Sequence, residues 1–471
     1  MKFPPAIFLM ASLAIGQASS TPDSRPAAPF PHLPKVTIDG TKKTFIDSNN
    51  QPFVPCGVSY YRPDTGWPPQ NWKKFDEKLV RQDFKRMKDM GLNVARIFTQ
   101  LGTFYTEPGK LNEEYLAKFD RLLDIADEYG IYIHPTGPSG WEGEPEWMKP
   151  LGNVAKNYAN EQVNMVLEDW WRIFVGRYRG RSTIWAYDIR NEPSMAWATP
   201  ESRVKWDEWR VAQNKPKVPV PEINSPHSEI MADYQLFRES LATEWLARQS
   251  KAIKAADPDA LVTVGLLQWS IPAKKLSDDQ QYSAFRPRNI APYLDFISLH
   301  YYPLAKGVYK YEDQAAEDIL LSMFESMLRE CAKATPGKPL VIGEFGWYGG
   351  GPLDKGGTVA TQDQQARWCR RMVEVSAPMV SGWINWGLYD TPEAKDVSRL
   401  TGLLTFDGQE KVWGKLFVPL VESMPAPTQE LPKRPDLPWD TATSDKDAAG
   451  DFQAEYLGTF LQSQNDSGKA E

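Results

Sequence analysis

The chain is poor in cysteine and in histidine. Its 471 residues include three Cys and four His. These are too few for a disulfide framework, and at most one bridge can form among Cys56, Cys331 and Cys369. Neither His-Glu-x-x-His nor Cys-x-x-Cys occurs, and these spacings are typical of zinc sites. The sequence therefore predicts a protein without a metal or another cofactor.

Excess positive charge and long apolar runs are also missing. The net charge is −7, which provides no basic surface for nucleic acid or anionic lipid. Beyond the first residues, no run of about 18 apolar residues is available to span a bilayer. We therefore expect no nucleic-acid partner and no membrane anchor.

Two motifs of large enzyme families are absent from the sequence. No Gly-x-Gly-x-x-Gly follows the first predicted strand, where a dinucleotide-binding fold carries its phosphate loop. No Gly-x-Ser-x-Gly elbow is present, which argues against a hydrolase with a Ser-His-Asp triad. The chemistry is therefore expected from other residue types.

The N-terminus has the pattern of an export signal. Lys2 supplies a positive start, an apolar run leads to Gly16, and a small-x-small site follows. This pattern predicts a signal peptide over residues 1–18 and a secreted or periplasmic protein. Residues 19–35 are rich in proline and are predicted to form an extended linker.

The C-terminal composition differs from that of the rest of the chain. After Met424 the sequence is rich in Pro, Asp, Lys, Ser and Ala. Residues 425–471 are therefore predicted to form a largely disordered or loosely docked tail. Within it, the apolar residues between Phe452 and Phe460 can form a short docked helix.

Strand and helix patterns alternate between these two ends. Amphipathic helical stretches separate strands that are mostly continuous apolar runs, which favours a parallel sheet covered by helices. The eight predicted strands are Phe53–Tyr61, Leu92–Thr99, Ile131–Thr136, Thr183–Arg190, Leu261–Leu267, Asp295–Tyr302, Leu340–Phe345 and Val380–Leu388. We predict an α/β fold, a (β/α)8 TIM barrel over residues 36–424, in preference to an open doubly wound sheet.

Two additions to this barrel are predicted. Residues 36–53 carry turn signals at Asp39-Gly40 and Asn49-Asn50, and they favour a β-hairpin that closes the bottom of the barrel. The long loop after strand 4, Ser194–Ser228, is rich in tryptophan and proline. Loops of this length are often lids or binding walls. The sequence leaves open whether this loop lines a substrate site or is a packed insertion.

Two of the predicted strands end on a carboxylate. The strand that begins at Thr183 leads to Glu192, and the strand that begins at Leu340 leads to Glu344. In a parallel barrel, the C-terminal ends of the strands line the active-site face. Two carboxylates there match glycoside hydrolysis, in which one protonates the leaving oxygen and the other attacks or activates water. The alternative is that Glu192 only caps the next helix.

As a set, the residues at the strand ends resemble those of the clan A retaining glycoside hydrolases, most closely family 5, which contains cellulases and β-mannanases. The resemblance covers about Phe45 to Glu422. The matching residues are Arg96 on strand 2, His134 on strand 3, Asn191 and Glu192 on strand 4, His300 and Tyr302 on strand 6, Glu344 on strand 7 and Trp386 on strand 8. The resemblance implies that Glu192 is the acid/base, that Glu344 is the nucleophile, and that the other residues bind substrate or support catalysis.

The resemblance also assigns tasks to individual side chains. Arg96 is expected to lower the pKa of Glu344, and Tyr302 to donate a hydrogen bond to the same carboxylate. Glu192 is expected to hold a proton at the working pH. Asn191 is expected to bind the sugar 2-hydroxyl.

Three members of the set have a second interpretation. His134 and His300, taken singly, fit hydrogen-bonded core residues, and only their position at strand ends favours a role in the site. Trp386 follows the last barrel strand, where a flat ring can stack on a sugar, but it can also be a core residue.

The leading hypothesis is a secreted retaining β-glycoside hydrolase that acts by double displacement on a β-linked hexose polysaccharide or oligosaccharide. Mannan and glucan are the first candidates. The partner is then a carbohydrate substrate, and the protein is expected to be a monomer or a small homo-oligomer. The alternatives are a non-catalytic carbohydrate-binding barrel and a transglycosylase that uses the same glycosyl-enzyme intermediate.

Overall fold

The computed structural model describes residues 32–41, 44–65, 70–139, 144–152, 156–223, 225–272, 282–303, 314–352, 358–428 and 430–467. The predicted signal peptide and most of the predicted linker lie outside these residues. The strands are, in chain order, β1 (Val36–Ile38), β2 (Phe45–Asp47), β3 (Pro52–Phe53), β4 (Cys56–Ser59), β5 (Val94–Gln100), β6 (Tyr132–Ser139), β7 (Tyr187–Asn191), β8 (Val262–Leu266), β9 (Ile297–Tyr301), β10 (Leu340–Phe345), β11 (Gly351–Pro352), β12 (Val359–Ala360) and β13 (Trp383–Asn385).

The helices separate the barrel strands and continue beyond them. In chain order they are α1 (Gln70–Lys73), α2 (Glu77–Asp89), α3 (Leu101–Phe104), α4 (Glu113–Tyr129), α5 (Glu161–Arg177), α6 (Pro200–Ala212), α7 (Glu229–Ala256), α8 (Pro287–Ile290), α9 (Gln314–Ala334), α10 (Gln362–Ser376), α11 (Val412–Ser423), α12 (Trp439–Ala442) and α13 (Lys446–Ser467). Within the described part of the chain, none of them is long and apolar enough to cross a bilayer.

Eight strands, β4 to β10 and β13, form a closed barrel. Every neighbouring pair is parallel, and the barrel closes where Trp383 pairs with Cys56. The predicted (β/α)8 barrel is thus confirmed. One strand differs in a way that affects the site, because β6 continues past the predicted end at Thr136 to Ser139.

Side-chain caps fix the first residues of several helices. The Asp76 side chain accepts a hydrogen bond from the backbone of Leu79 at the start of α2, and Asn160 caps α5 in the same way. Thr361 and Gln364 form a reciprocal capping box at the start of α10. Each cap satisfies backbone donors that have no partner inside the helix.

The N-terminal end of the barrel is closed by an antiparallel sheet of β1, β2 and β3. Phe45 is fully buried and packs edge-on against Trp185 and Phe296, with ring centroids 5.3 and 5.2 Å away. Val36 and Phe53 belong to the same apolar cluster. The predicted hairpin is therefore present, with a third strand, and it fills this end of the barrel with apolar side chains.

The long connection after β7 is a packed insertion built around its tryptophans. Trp206 is 1% exposed, stacks on Trp209 and donates from Nε1 to the Val218 carbonyl at 2.9 Å. Trp197 donates from Nε1 to the Pro221 carbonyl at 2.9 Å. These bonds attach the proline-rich return segment to α6 through Trp206 and to the chain before α6 through Trp197. The structure therefore favours the packed insertion over a wall of open aromatic faces.

The C-terminal tail docks on α9. Phe452, Tyr456 and Phe460 of α13 are buried, and Arg434 donates to Glu325 of α9 at 2.8 Å. The docked helix is therefore much longer than the short helix that the composition predicts. The apolar side chains of α13 and the buried ion pair between Arg434 and Glu325 stabilise the packing of the tail on α9.

All three cysteines are buried and unbridged. Burial raises the pKa of Cys369 to about 12, and it raises the pKa values of Cys56 and Cys331 further. A protonated buried thiol is a packing residue with little reactivity. The single bridge that the sequence allows is therefore not formed.

Candidate active site

The strand ends bring the two predicted carboxylates together. Glu192 follows β7, and Glu344 lies near the end of β10. One carboxylate oxygen of each and a ring nitrogen of His300 on β9 all lie within 4.8 Å of one another. Carboxyl groups about 5 Å apart attack a sugar directly, whereas a wider gap leaves room for a water molecule. The geometry therefore fits direct attack.

Glu344 is held by two donors that the sequence predicts. Its Oε1 accepts a hydrogen bond from Nη1 of Arg96 at 2.5 Å, and its Oε2 accepts one from the Tyr302 hydroxyl at 2.8 Å. The backbone N–H of Tyr302 donates to the Gln268 side chain at 3.0 Å. With only 4% of its side chain exposed, Glu344 has one fixed orientation.

Burial and charge act in opposite directions on Glu344. Burial raises its pKa and the Glu192 carboxylate adds to this, whereas His300 and Arg96 lower it. The lowering expected from Arg96 is therefore present, but burial outweighs it. Burial also opposes the charge of Arg96, yet Glu344 and Asp188 outweigh that effect and raise the pKa of Arg96. The guanidinium consequently remains charged.

Glu192 has a different environment. Its side chain is 30% exposed. Its backbone has a φ of +48°, a left-handed conformation that residues other than glycine rarely adopt. Such backbone strain is common at functional sites. Burial of the carboxyl raises the pKa of Glu192 to about 7, with Arg96 lowering it and Asp188 raising it. A large fraction of Glu192 therefore carries a proton at neutral pH.

His300 lies between the two carboxylates. Its Nδ1 is 3.1 Å from Oε1 of Glu192 and 3.4 Å from Oε1 of Glu344. Burial lowers the pKa of His300 to about 4, so at neutral pH the ring is uncharged and carries a single N–H. Two glycines make room for it, because a Cβ on Gly265 or Gly343 would lie 2.6 or 3.0 Å from the ring.

Asp188 is a site residue that the sequence reasoning missed. It lies in the middle of β7, and its Oδ2 accepts a hydrogen bond from Nη2 of Arg96 at 2.8 Å. The same nitrogen donates to Oδ1 of Asn191 at 2.8 Å. The available signal was a charged residue within an apolar central strand, because a buried charge requires a partner.

His134 lies deeper in the barrel than predicted. Its Nδ1 is 2.6 Å from the Ala186 carbonyl oxygen, and its ring packs against Trp185. Burial lowers its pKa to about 4. His134 pairs in register with Arg96, but no contact of its ring with either carboxylate is found in the described part of the chain. The structure thus favours the core interpretation of this residue.

Trp386 lies beside the site, and its indole ring is held in place by a hydrogen bond and by two aromatic neighbours. Nε1 donates to the Ser398 hydroxyl at 2.7 Å, and the ring packs between Tyr61 and Phe98. Phe98 in turn lies under the Arg96 guanidinium at 4.7 Å. Trp386 is 5% exposed, so only a small part of the ring is available for stacking on a sugar.

Glu192, His300 and Glu344 also form a possible set of metal ligands. One feature disfavours a cation there. The Arg96 guanidinium already occupies Oε1 of Glu344 at 2.5 Å, and its positive charge repels a metal ion at the same oxygen. The donor set fits proton transfer and nucleophilic attack better.

Comparison with known proteins identifies the family. The sequence matches Cellulase (glycosyl hydrolase family 5) over residues 47–391. It is 24% identical over 330 residues to mannan endo-1,4-beta-mannosidase F of Aspergillus clavatus, with 66% of this chain and 62% of that protein covered. It is 20% identical over 335 residues to the probable mannan endo-1,4-beta-mannosidase F of Aspergillus oryzae, with 67% and 59% covered. The chain thus spans about three fifths of the length of these curated relatives.

Solved structures share the fold. The exo-beta-1,4-mannosidase Op5Man5 from Opitutaceae bacterium strain TAV5 has a TM-score of 0.60 at 19% identity, with 82% of this chain and 62% of that chain covered. The GH5_18 protein from Streptomyces cattleya, in complex with GlcNAc, has a TM-score of 0.64 at 17% identity, with 88% and 92% covered. The family match covers most of the sequence, and the chain therefore belongs to glycoside hydrolase family 5.

Proposed function

We propose that the protein is a secreted enzyme that hydrolyses β-1,4-linked mannosides by double displacement. Glu344 is the nucleophile and Glu192 the acid/base. The observation that carries this proposal is the clustering of Glu192, His300 and Glu344 within 4.8 Å. The mannoside is supported by the names of the relatives and of Op5Man5. Export is supported by the apolar run that follows Lys2.

The position of the proton follows from the donors around each carboxylate. Glu344 accepts hydrogen bonds from Arg96 and Tyr302, whereas among the described residues the Glu192 carboxyl has only Nδ1 of His300 within hydrogen-bond distance. Negative charge is therefore better stabilised on Glu344, and the proton resides on Glu192. These are the ionisation states that the first half-reaction needs.

The two half-reactions then use the same pair. An oxygen of Glu344 forms a bond to the anomeric carbon as the bond between that carbon and the leaving-group oxygen breaks. The leaving-group oxygen takes the proton of Glu192. In the second half-reaction water gives a proton to Glu192 and attacks the anomeric carbon, and the ester bond breaks to restore the Glu344 carboxylate. Arg96 orients Asn191 through Oδ1. The Asn191 amide N–H groups have no hydrogen-bond partner among the described residues and can donate to the sugar 2-hydroxyl.

Isosteric variants test these roles. In Glu192→Gln and Glu344→Gln, kcat/KM for an aryl β-mannoside should fall by about 1,000-fold or more, because each variant loses a group that reacts. Glu325→Gln is the matched control, since it makes the same change in a buried glutamate of α9. Full activity in either site variant would contradict the roles. A clear preference for the aryl β-glucoside would contradict only the assignment of mannose.

The pH profile gives a second test of Glu192. Its pKa of about 7 lies above the ordinary value, and the first half-reaction needs its proton. We therefore expect kcat/KM to fall about tenfold per pH unit above pH 7. With an activated aryl leaving group, Glu192→Gln should lose this alkaline limb. A limb that persists in the variant would assign the titration to another group.

A further inference from the structure

Asp188 is a buried charge that the proposed mechanism does not use. Its side chain is 1% exposed. Oδ2 accepts hydrogen bonds from Nη2 of Arg96 at 2.8 Å and from the Thr136 hydroxyl at 2.9 Å, and Oδ1 accepts one from the Gly265 backbone at 2.9 Å. These bonds come from three neighbouring strands and fix the carboxylate toward Arg96.

Asp188 is the carboxylate that accepts a hydrogen bond from Nη2 of the Arg96 guanidinium. The guanidinium has no exposed surface. Nη1 donates to Glu344, whereas Nη2 donates to Asp188 and to Asn191. The Asp188 bond therefore sets the angle at which Arg96 meets both the nucleophile and the residue proposed to bind the 2-hydroxyl.

The proposed double displacement changes the charge around Arg96. When Glu344 forms the glycosyl ester it becomes neutral, and Arg96 loses one of its two buried counter-ions. A buried guanidinium without a carboxylate is strongly unfavourable. Asp188 takes part in no bond change, so its negative charge is the same before, during and after the ester exists.

We propose that Asp188 is a positioning residue that remains the counter-ion of Arg96 through the whole reaction and holds it in place while Glu344 is esterified. This inference rests on the proposed function. It assigns to Asp188 a task that neither catalytic glutamate can perform, because Glu192 and Glu344 both change their charge state in each turnover.

The same charge acts on the groups around it. Asp188 and Arg96 face each other, and the other charged or titratable groups around this pair are His134, Glu192, His300 and Glu344. Asp188 raises the pKa of Glu192, and it also raises the pKa values of both histidines, which burial nevertheless keeps at about 4. Loss of the Asp188 charge should therefore move the titration of Glu192 to lower pH and leave the histidines uncharged.

The first test is Asp188→Asn, which keeps the shape and removes the charge. We expect kcat/KM for an aryl β-mannoside to fall about 100-fold and its alkaline limb to move to lower pH. Release of the aryl group in the first turnover measures ester formation, and hydrolysis of a 2-fluoro-mannosyl ester measures its breakdown. Ester formation should slow more than breakdown, because breakdown restores the charge of Glu344.

The matched control is Thr136→Val. It removes a hydrogen bond to the same Oδ2 atom but no charge. We expect a loss of less than about tenfold with an unmoved alkaline limb. If Asp188→Asn slows both half-reactions equally and leaves the limb in place, Asp188 only supports the structure and the inference is overturned.

A charge-neutral pair covers the case in which Asp188→Asn does not fold. In an Arg96→Gln background, adding Asp188→Asn should cost less than about threefold in kcat/KM, because the charge that Asp188 balances is already gone. A further loss of about 100-fold would overturn the inference. Failure of the proposed function is separate, since that would appear as activity in Glu344→Gln or Glu192→Gln.

Discussion

The barrel has a buried carboxylate cluster at each end, and the two clusters differ in how completely they are hydrogen-bonded. At the base, Asp127 has no exposed side-chain surface. It meets four partners, which are Nδ1 of His32 at 2.7 Å, the Leu33 backbone at 3.1 Å, Arg181 at 2.9 Å and Thr183 at 2.6 Å. At the mouth, the Glu192 carboxyl contacts one ring nitrogen, Nδ1 of His300, among the residues that the structure describes, and its side chain is 30% exposed.

This difference separates a structural carboxylate from a reactive one. Four partners occupy the acceptor positions of Asp127. They join the last residues of the predicted linker to α4 and to Thr183, which precedes β7. Glu192 retains acceptor capacity, a strained backbone and a pKa of about 7. We therefore expect changes at the base to alter stability and changes at the mouth to alter turnover.

The largest effect should come from removing the cation at each end. Arg96→Met should lower kcat/KM by about 1,000-fold or more, because Glu344 loses the donor that stabilises its charge. Arg181→Met, the counterpart at the base, should leave kcat/KM within about twofold and lower the midpoint of urea unfolding. Equal losses of activity in the two variants would end the distinction between the clusters.

The next effect concerns the carboxylate at the base. Asp127→Asn removes the charge that pairs with Arg181 and turns an acceptor into a donor that faces other donors. The free energy of unfolding should fall by about 3 kcal/mol, as measured by urea titration followed by circular dichroism. At 25 °C kcat/KM should be unchanged. A folded variant with low activity would show that the base communicates with the mouth.

The two regions also differ in the room next to glycine residues, and this gives a third test. At the mouth, a Cβ on Gly265 would lie 2.6 Å from the His300 ring, and Gly265→Ala should displace that ring. Activity on an aryl β-mannoside should fall about 100-fold. Gly176→Ala in α5 is the control, because its Cβ meets nothing within 4 Å, and Ala is the better helix former. If both variants are fully active, His300 needs no fixed position.

Much of the site was predictable because strand ends are visible in the sequence. Apolar runs that stop at Glu192 and Glu344 place both carboxylates at one end of a parallel barrel. The direction of a side chain within a strand is harder to predict: His134 pairs in register with Arg96, yet its ring packs against Trp185 near the base of the barrel. Two residues at the same level of the barrel can therefore differ, with Arg96 reaching Glu344 and His134 packed in the core.

Pairings between distant residues were not predictable. Asp188 and Arg96 are 92 positions apart, and Arg434 and Glu325 are 109 apart. The sequence around each of these residues shows a charged side chain but not its partner, because only the fold brings the two residues together. The tail is the larger consequence, since its composition is that of a disordered segment, and the packing of α13 on α9 depends on residues that only the fold brings together.

The smallest effect uses one chemical change at both ends. Tyr132→Phe removes a hydroxyl that donates to the Pro34 carbonyl at 2.6 Å, and it should lower the free energy of unfolding by about 1 kcal/mol with kcat/KM unchanged. Tyr302→Phe removes the hydroxyl that donates to Glu344 at 2.8 Å, and it should lower kcat/KM by about tenfold. Urea unfolding and aryl β-mannoside kinetics on both variants check the pair. The reverse pattern, with turnover lost at the base and kept at the mouth, would contradict the assignment of the two ends.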